Sequence, residues 1–263
     1  MATDGIKDVS SASRNYSATQ MQGLRTIGGL AALMVGGLVA ACSPSQRGTD
    51  AQPSGTAQTI NAIAGNPANE ALDDAASAAE NLVEAVLADD QAMGGKAFDD
   101  LQKATSGLTP ARLGKDAAII GELNQSIKDG WQVGDRPAAA MAAVSLYARL
   151  VQAKDWNGAK VPLAVSMLDH AGFKSELLVA QDQIDWASLR QTAAEAQRDL
   201  ASIESKITDS NLKQVARGIV WHMDQGVKAK DPARVTAAAK DLLAVVDLLE
   251  QQFERQIAQP KAR

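Results

Sequence analysis

The chain has 263 residues, a formal net charge of −5, 3% aromatic residues and a single cysteine, Cys42. The negative charge argues against nucleic acid as a partner, because such binding needs a basic surface, and one cysteine excludes an internal disulfide. Alanine is abundant and β-branched runs are few, so the composition predicts an all-α protein.

The first element along the chain is an uncharged segment, Thr26 to Ala41, that follows Arg25. It is shorter than the roughly 20 apolar residues of a membrane span. A positive flank, a short apolar stretch and a small-residue end are typical of a secretory signal. Its last residues, Val39-Ala40-Ala41-Cys42, resemble the lipobox of bacterial lipoproteins. The resemblance implies removal of residues 1–41 and acylation of Cys42.

The residues on either side of this segment add to the predicted cellular location. Ser43 directly follows the cysteine, and in lipoproteins of this type such a serine implies sorting to the outer membrane. The stretch before Arg25 is long for a signal peptide, which makes Met21 a candidate start. Residues 42–58 are small and polar, so we expect a flexible tether. The helical domain, residues 59–263, is then expected to face the periplasm.

Cap residues predict helical hairpins in the first half of this domain. A helix is expected from Pro67 to about Asp89, and the next element is interrupted or closed by Gly94-Gly95 and Gly107. Thr109-Pro110 predicts an N-cap with a first-turn proline, opening a helix that ends near Gly130. Asp135 to Pro137 predicts the start of another helix.

The second half has the same kinds of helix-capping and helix-ending residues, and the whole domain is predicted to contain about seven or eight helices. Asp155 is predicted to cap a helix that carries His170 and stops at Gly172. A long segment, 175–206, is predicted to be broken near Asp185. Two further helices are predicted to follow Asp209 and to run from Asp231-Pro232 to Gln256.

A weak internal repeat links three junctions, Val86 to Asp90, Val151 to Asp155 and Val227 to Asp231. In each junction an apolar residue lies four positions before an aspartate, and a helix is predicted to follow. One interpretation is a tetratricopeptide-like array of hairpins. The alternative is that unrelated hairpins converge on aspartate because its carboxylate caps free backbone N–H groups.

The motifs of metalloproteases, phosphate-binding loops and serine hydrolases are absent from the sequence. Neither His170 nor His222 has a glutamate three residues earlier, so the di-iron pattern of helix bundles is absent as well. The only thiol is assigned to lipid. We therefore predict a protein that is not an enzyme and holds no cofactor.

Both histidines lie on predicted apolar stripes, His170 near Met167 and His222 near Met223. Imidazole and thioether together suit copper, so these four side chains are a candidate metal set. The alternative is a pair of core histidines beside gap-filling methionines.

The tryptophans lie near predicted helix ends, where they either line the mouth of an apolar pocket or pack the ends of the bundle. The four are Trp131, Trp156, Trp186 and Trp221. The candidate ligand-binding residues are Tyr147, Met167, His170, Trp186, Trp221, His222 and Met223.

Three functions remain open on the sequence. The first is a membrane-anchored binding lipoprotein that holds an apolar or lipid-like small molecule between helices. The second is a scaffold of helical hairpins for a protein partner in the envelope. The third is copper binding through the histidines and methionines.

Overall fold

The computed structural model describes residues 67–258, and all regular structure in that range is helical. The predicted all-α bundle of hairpins is confirmed. The predicted signal peptide, Met21, Cys42 and the tether lie outside the described residues.

Nine α-helices span the described part, eight of them long and one of a single turn. In chain order they are α1 (Pro67–Leu87), α2 (Gln91–Ser106), α3 (Pro110–Leu113), α4 (Ala117–Gln132), α5 (Arg136–Ala153), α6 (Leu163–Val179), α7 (Trp186–Ile203), α8 (Ser210–Ala229) and α9 (Pro232–Ala258). Two 3-10 turns, Gly114–Asp116 and Glu204–Lys206, precede α4 and follow α7.

The long helices form two four-helix groups that follow one another in the chain. In the first group α1 packs on α2 and α5, and α5 packs on α4. In the second group α6 packs on α7 and α9, and α8 packs on both as well. Each group encloses an apolar core, and α6 contributes Phe173 and Leu177 to the core of the first group. The groups meet where α5 and α1 contact α6, so the body is two antiparallel bundles joined side by side.

The last hairpin of each group is closed by the same turn. The backbone N–H of Asp135 donates to the carbonyl of Gly130 at 2.8 Å, and that of Asp231 donates to Gly226 at 2.9 Å. The residue before each aspartate has a positive φ, and each aspartate carboxylate caps the following helix. A Cβ on Gly130 would lie 3.0 Å from the backbone nitrogen of Ala139. Glycine therefore permits the close approach of the two helices at this turn.

The predicted repeat was wrong at one of its three junctions. The first and third predicted junctions share this geometry, since the N–H of Asp90 also donates to a carbonyl five residues earlier, at 2.9 Å. The second does not: Asp155 accepts from the N–H of Asn157, and α6 begins eight residues later, after Pro162. The expected cap of α6 by Asp155 was wrong. The turn at Gly130 to Asp135 takes the place of that junction in the pattern.

Several predicted helix ends also differ. Gly172 does not stop α6 but lies inside it, packed against Leu243 of α9. Gly94-Gly95 lies within α2. The helix expected to start at Pro110 breaks after one turn, where Gly114 has a φ of 56°. Packing overrides the helix-breaking tendency of glycine at Gly172 and at Gly94, which lies against Trp131, whereas Gly95 has no atom within 4 Å of a built Cβ. The backbone conformation of Gly114 interrupts the third helix.

Candidate functional site

A groove of about 460 Å³ lies between α6 and α7 and is bordered by Gln152 at the end of α5. Residues spaced one turn apart on α6 form one wall, because a helix repeats its face every three to four residues. The lining residues are Leu163, Ala164, Met167 and His170 of α6, Glu195, Arg198, Asp199 and Ser202 of α7, and Gln152 of α5. The volume falls in the range of about 300–1,000 Å³ that is typical of small-molecule sites.

His170 is the most unusual member of this lining. Its side chain is only 7% exposed, and burial, aided by the charge of Lys174, lowers its pKa from 6.5 to about 4. At neutral pH the ring is therefore neutral, with one N–H donor and one nitrogen acceptor. Within residues 67–258 no group forms a hydrogen bond with it. Its ring nitrogens are not fully buried, since Gln252 Nε2 is the one fully buried side-chain nitrogen or oxygen without a partner in the described range. They are therefore open to a group bound in the groove, and a hydrogen bond from such a group contributes about 0.5–1.5 kcal/mol.

The two walls of the groove differ in polarity. The α6 wall is apolar up to His170, and Met167 accepts a hydrogen bond from Gln152 Nε2 at 3.7 Å. The α7 wall is polar and its charges are mixed, with Arg198 lying 4.0 Å from Glu195. Burial raises the pKa of Asp199 on the same wall. The groove thus offers apolar area together with a few polar groups, the usual composition of a ligand site.

A second cavity, of about 240 Å³, lies where the two bundles meet. Helices α1, α5, α6 and α9 all contribute to its lining, which is mainly polar. Its ionisable residues are Glu80, Tyr147, Lys154, Asp169, Asp247 and Glu250. We call these residues the acidic cluster.

Burial and mutual repulsion hold protons on the acidic cluster. Burial, then the charges of Glu84 and Glu250, raises the pKa of Glu80 from 4.5 to about 7. Asp169, only 8% exposed, has a raised pKa for the same reason, although Tyr147 donates a hydrogen bond to it. Burial also raises the pKa of Tyr147 itself.

The cation in the cluster is already engaged, because Lys154 forms an ion pair with Asp73. The cavity of about 240 Å³ is smaller than the roughly 300 Å³ at which small-molecule sites begin. It also lacks an extended apolar wall. The α6–α7 groove is therefore the better candidate for a small molecule, and the acidic cluster is a proton-holding seam between the bundles.

The structure distributes the candidate residues over several places. Met167 and His170 share the groove, whereas Tyr147 belongs to the acidic cluster. Met223 is fully buried in the core of the second helix group, where it accepts a hydrogen bond from Ser175 Oγ at 3.8 Å. Trp186 packs on the edge of that core at the start of α7.

His222 and Trp221 lie on the surface. Trp221 is 53% exposed and contacts the edge of the His222 ring. Arg234 Nη2 lies 3.0 Å from His222 Nδ1. The four candidate copper ligands are therefore not brought together. In the part of the chain that the structure describes, no group of three or more His, Cys, Asp or Glu residues is placed to hold a metal ion.

Two other tryptophans have structural contacts. Trp131 stacks on Phe98 with ring centroids 5.1 Å apart, and the Arg136 guanidinium lies 3.4 Å from the Trp131 ring centre. Trp156 Nε1 donates to the Val151 carbonyl at 2.8 Å. These contacts favour the packing interpretation over a pocket mouth for both residues.

The acidic cluster was missed in the sequence because its members lie far apart along the chain. A local signal was nevertheless present for Asp169, whose neighbours one turn away on α6 include the buried Val165 and Phe173. A charge at such a position rarely occurs in a core without a partner or a raised pKa. The α7 wall of the groove carries no comparable signal, because charged residues also fill solvent-exposed faces.

No family model matches the chain, and no curated protein or solved structure matches it. None of the described helices has both the length and the apolar character of a membrane span.

Proposed function

We propose that this chain is a membrane-anchored, non-catalytic binding lipoprotein of the bacterial envelope. Its helical domain holds an apolar or lipid-like small ligand in the α6–α7 groove. The observation that supports this function is His170, a buried and neutral side chain without a hydrogen-bond partner among the described residues, at the end of an apolar wall.

The anchor rests on the lipobox resemblance at Cys42. Acylation with more than one chain anchors a protein firmly, since each buried methylene contributes about 0.8 kcal/mol. The proposed location is the outer membrane, with the domain facing the periplasm. In cells, a Cys42→Ser variant is expected to leave the membrane fraction. Detergent-phase partitioning that is equal for the two proteins would contradict the anchor.

Binding is favoured over chemistry because the groove lacks the parts of an acid–base site. A catalytic histidine is normally oriented by a hydrogen bond that its ring N–H donates to a carboxylate or carbonyl. His170 has no such bond to a residue in the described range, and its pKa of about 4 makes it a weak base. The groove therefore supports recognition of a polar group rather than proton transfer.

A substitution that fills the groove tests whether the ligand binds there. Ala164 lies on the apolar wall, so an Ala164→Phe variant is expected to lose binding of a medium-chain alkyl probe. Ala118, which is exposed on α4 of the other bundle, gives the matched control Ala118→Phe. Binding is measured by calorimetry on the full chain, with circular dichroism to confirm the fold. Undiminished binding in the Ala164 variant would remove the groove from the proposal, and no binding by the wild type would remove the function.

A further inference from the structure

The chemical class of the ligand is constrained by the polar end of the α6–α7 groove. The charges near His170 are Lys174 on its own helix and, across the groove, Glu195, Arg198 and Asp199. When ionised, two of these groups are positive and two are negative. Because the charges balance, and because Arg198 already faces Glu195, the groove gives no net preference for an anion or a cation.

The hydrogen-bonding needs of the imidazole narrow the class further. A neutral imidazole presents either an N–H or a bare nitrogen to the groove, depending on its tautomer. A carboxylate only accepts a hydrogen bond and an ammonium only donates one, so each is matched to a single tautomer. A hydroxyl both donates and accepts, so it satisfies the ring in either form.

The size of the groove limits the apolar part. A methylene is similar in size to a water molecule, about 30 Å³. A groove of about 460 Å³ therefore accommodates one alkyl chain with a small head rather than the two chains of a phospholipid. The apolar residues Leu163, Ala164 and Met167 lie along one side of this volume, where a chain would bury its surface.

We infer that the α6–α7 groove selects a single-chain amphiphile with a neutral hydroxyl head, and that His170 recognises the hydroxyl. This inference rests on the proposed function, because it assumes that the groove binds an alkyl ligand. It adds the head group that the ligand carries and the side chain that distinguishes a neutral head from a charged one.

The test compares three probes with the same chain, namely decanol, decanoate and decylammonium, below their micellar concentrations at pH 7.5. Calorimetry on the full chain is expected to show decanol binding about five- to tenfold more tightly than either charged probe, the ratio that one buried hydrogen bond gives. Nitrogen NMR of the ring of His170 is expected to shift with decanol. This second measurement needs no variant and therefore does not depend on the folding of one.

Variants assign the preference to His170. A His170→Phe variant is expected to lose the preference for decanol, whereas His170→Gln keeps a donor and an acceptor and is expected to retain most of it. His222→Phe is the matched control, since His222 lies on the surface of α8.

The outcomes separate the inference from the function on which it rests. Equal or tighter binding of decanoate or decylammonium, or an undiminished preference in His170→Phe, would overturn the hydroxyl assignment and leave a ligand-binding groove. Failure of all three probes to bind the wild type would overturn the proposed function itself.

Discussion

Replacing Glu80 by glutamine is expected to stabilise the protein in a pH-dependent way. Burial in the acidic cluster raises the pKa of this carboxyl from 4.5 to about 7. Each pKa unit corresponds to about 1.4 kcal/mol, so the ionised form lowers stability by about 3 kcal/mol. Between pH 4.5 and about pH 7, Glu80 holds a proton in the folded chain that it has released in the unfolded chain. The stabilisation is therefore complete below pH 4.5 and is lost as the pH rises to 7.

Glutamine is close to the protonated acid in shape but does not ionise. The Glu80→Gln variant is therefore expected to match the wild type at pH 4 and to exceed its free energy of unfolding by up to about 3 kcal/mol at pH 8. Urea unfolding of the full chain, followed by circular dichroism at several pH values, measures this difference.

The matched control is Glu84→Gln, one turn further along α1, where the side chain is exposed. Its effect is expected to be small at every pH, because it acts on Glu80 only through charge repulsion. A difference between Glu80→Gln and the wild type that does not vary with pH would refute the reasoning. So would an equal effect of the two variants.

Further predictions concern the turn residues Gly130 and Asp231, with Gly121 inside α4 as the comparison for Gly130. Gly130→Ala is expected to lower the melting temperature, because its Cβ would lie 3.0 Å from the backbone nitrogen of Ala139 and 3.2 Å from the carbonyl oxygen of Asp135, so the turn would have to shift. Gly121→Ala, on the same helix and with no atom within 4 Å of the new Cβ, is expected to raise stability by about 0.5–1 kcal/mol. Asp231→Ala removes the cap on the backbone N–H of Arg234 and is expected to cost about 1 kcal/mol in urea unfolding, with the helix content retained. A stabilised Gly130 variant, or an Asp231 variant as stable as the wild type, would contradict the respective argument.

The fold was predictable because its signals are local. Aspartate caps at Asp135, Asp209 and Asp231 begin helices as expected, since each carboxylate accepts from a backbone N–H two or three residues later. The apolar periodicity correctly assigned the helical class. Glycine was the least reliable guide. Gly172 was predicted to end a helix but lies inside one, because its position is set by the close packing of α9 and not by its own propensity.

The site was predictable only in part, and the reason is distance along the chain. Met167 and His170 are one turn apart on one helix, so periodicity alone placed them on the same face. Their partners across the groove, such as Glu195 and Arg198, depend on which helix packs against α6. Pairing of His170 with His222 assumed that two apolar stripes converge, whereas His222 lies on the exposed side of α8.

Protonation of His170 changes the stability of the protein in the opposite direction to protonation of Glu80, over nearly the same pH range. Its pKa falls from 6.5 to about 4 in the folded chain, so its stabilising contribution is present above pH 6.5 and is lost as the pH falls, again by about 3 kcal/mol. In the wild type the two slopes oppose each other. Relative to the wild type, Glu80→Gln should shift the slope of stability against pH upward between pH 4.5 and 7, because it removes a contribution that falls with pH. His170→Gln should shift the slope downward between pH 4 and 6.5, because it removes a contribution that rises with pH. Urea unfolding of both variants at matched pH values measures the two slopes. Stability profiles that run parallel across this pH range would show that His170 and the acidic cluster do not titrate independently.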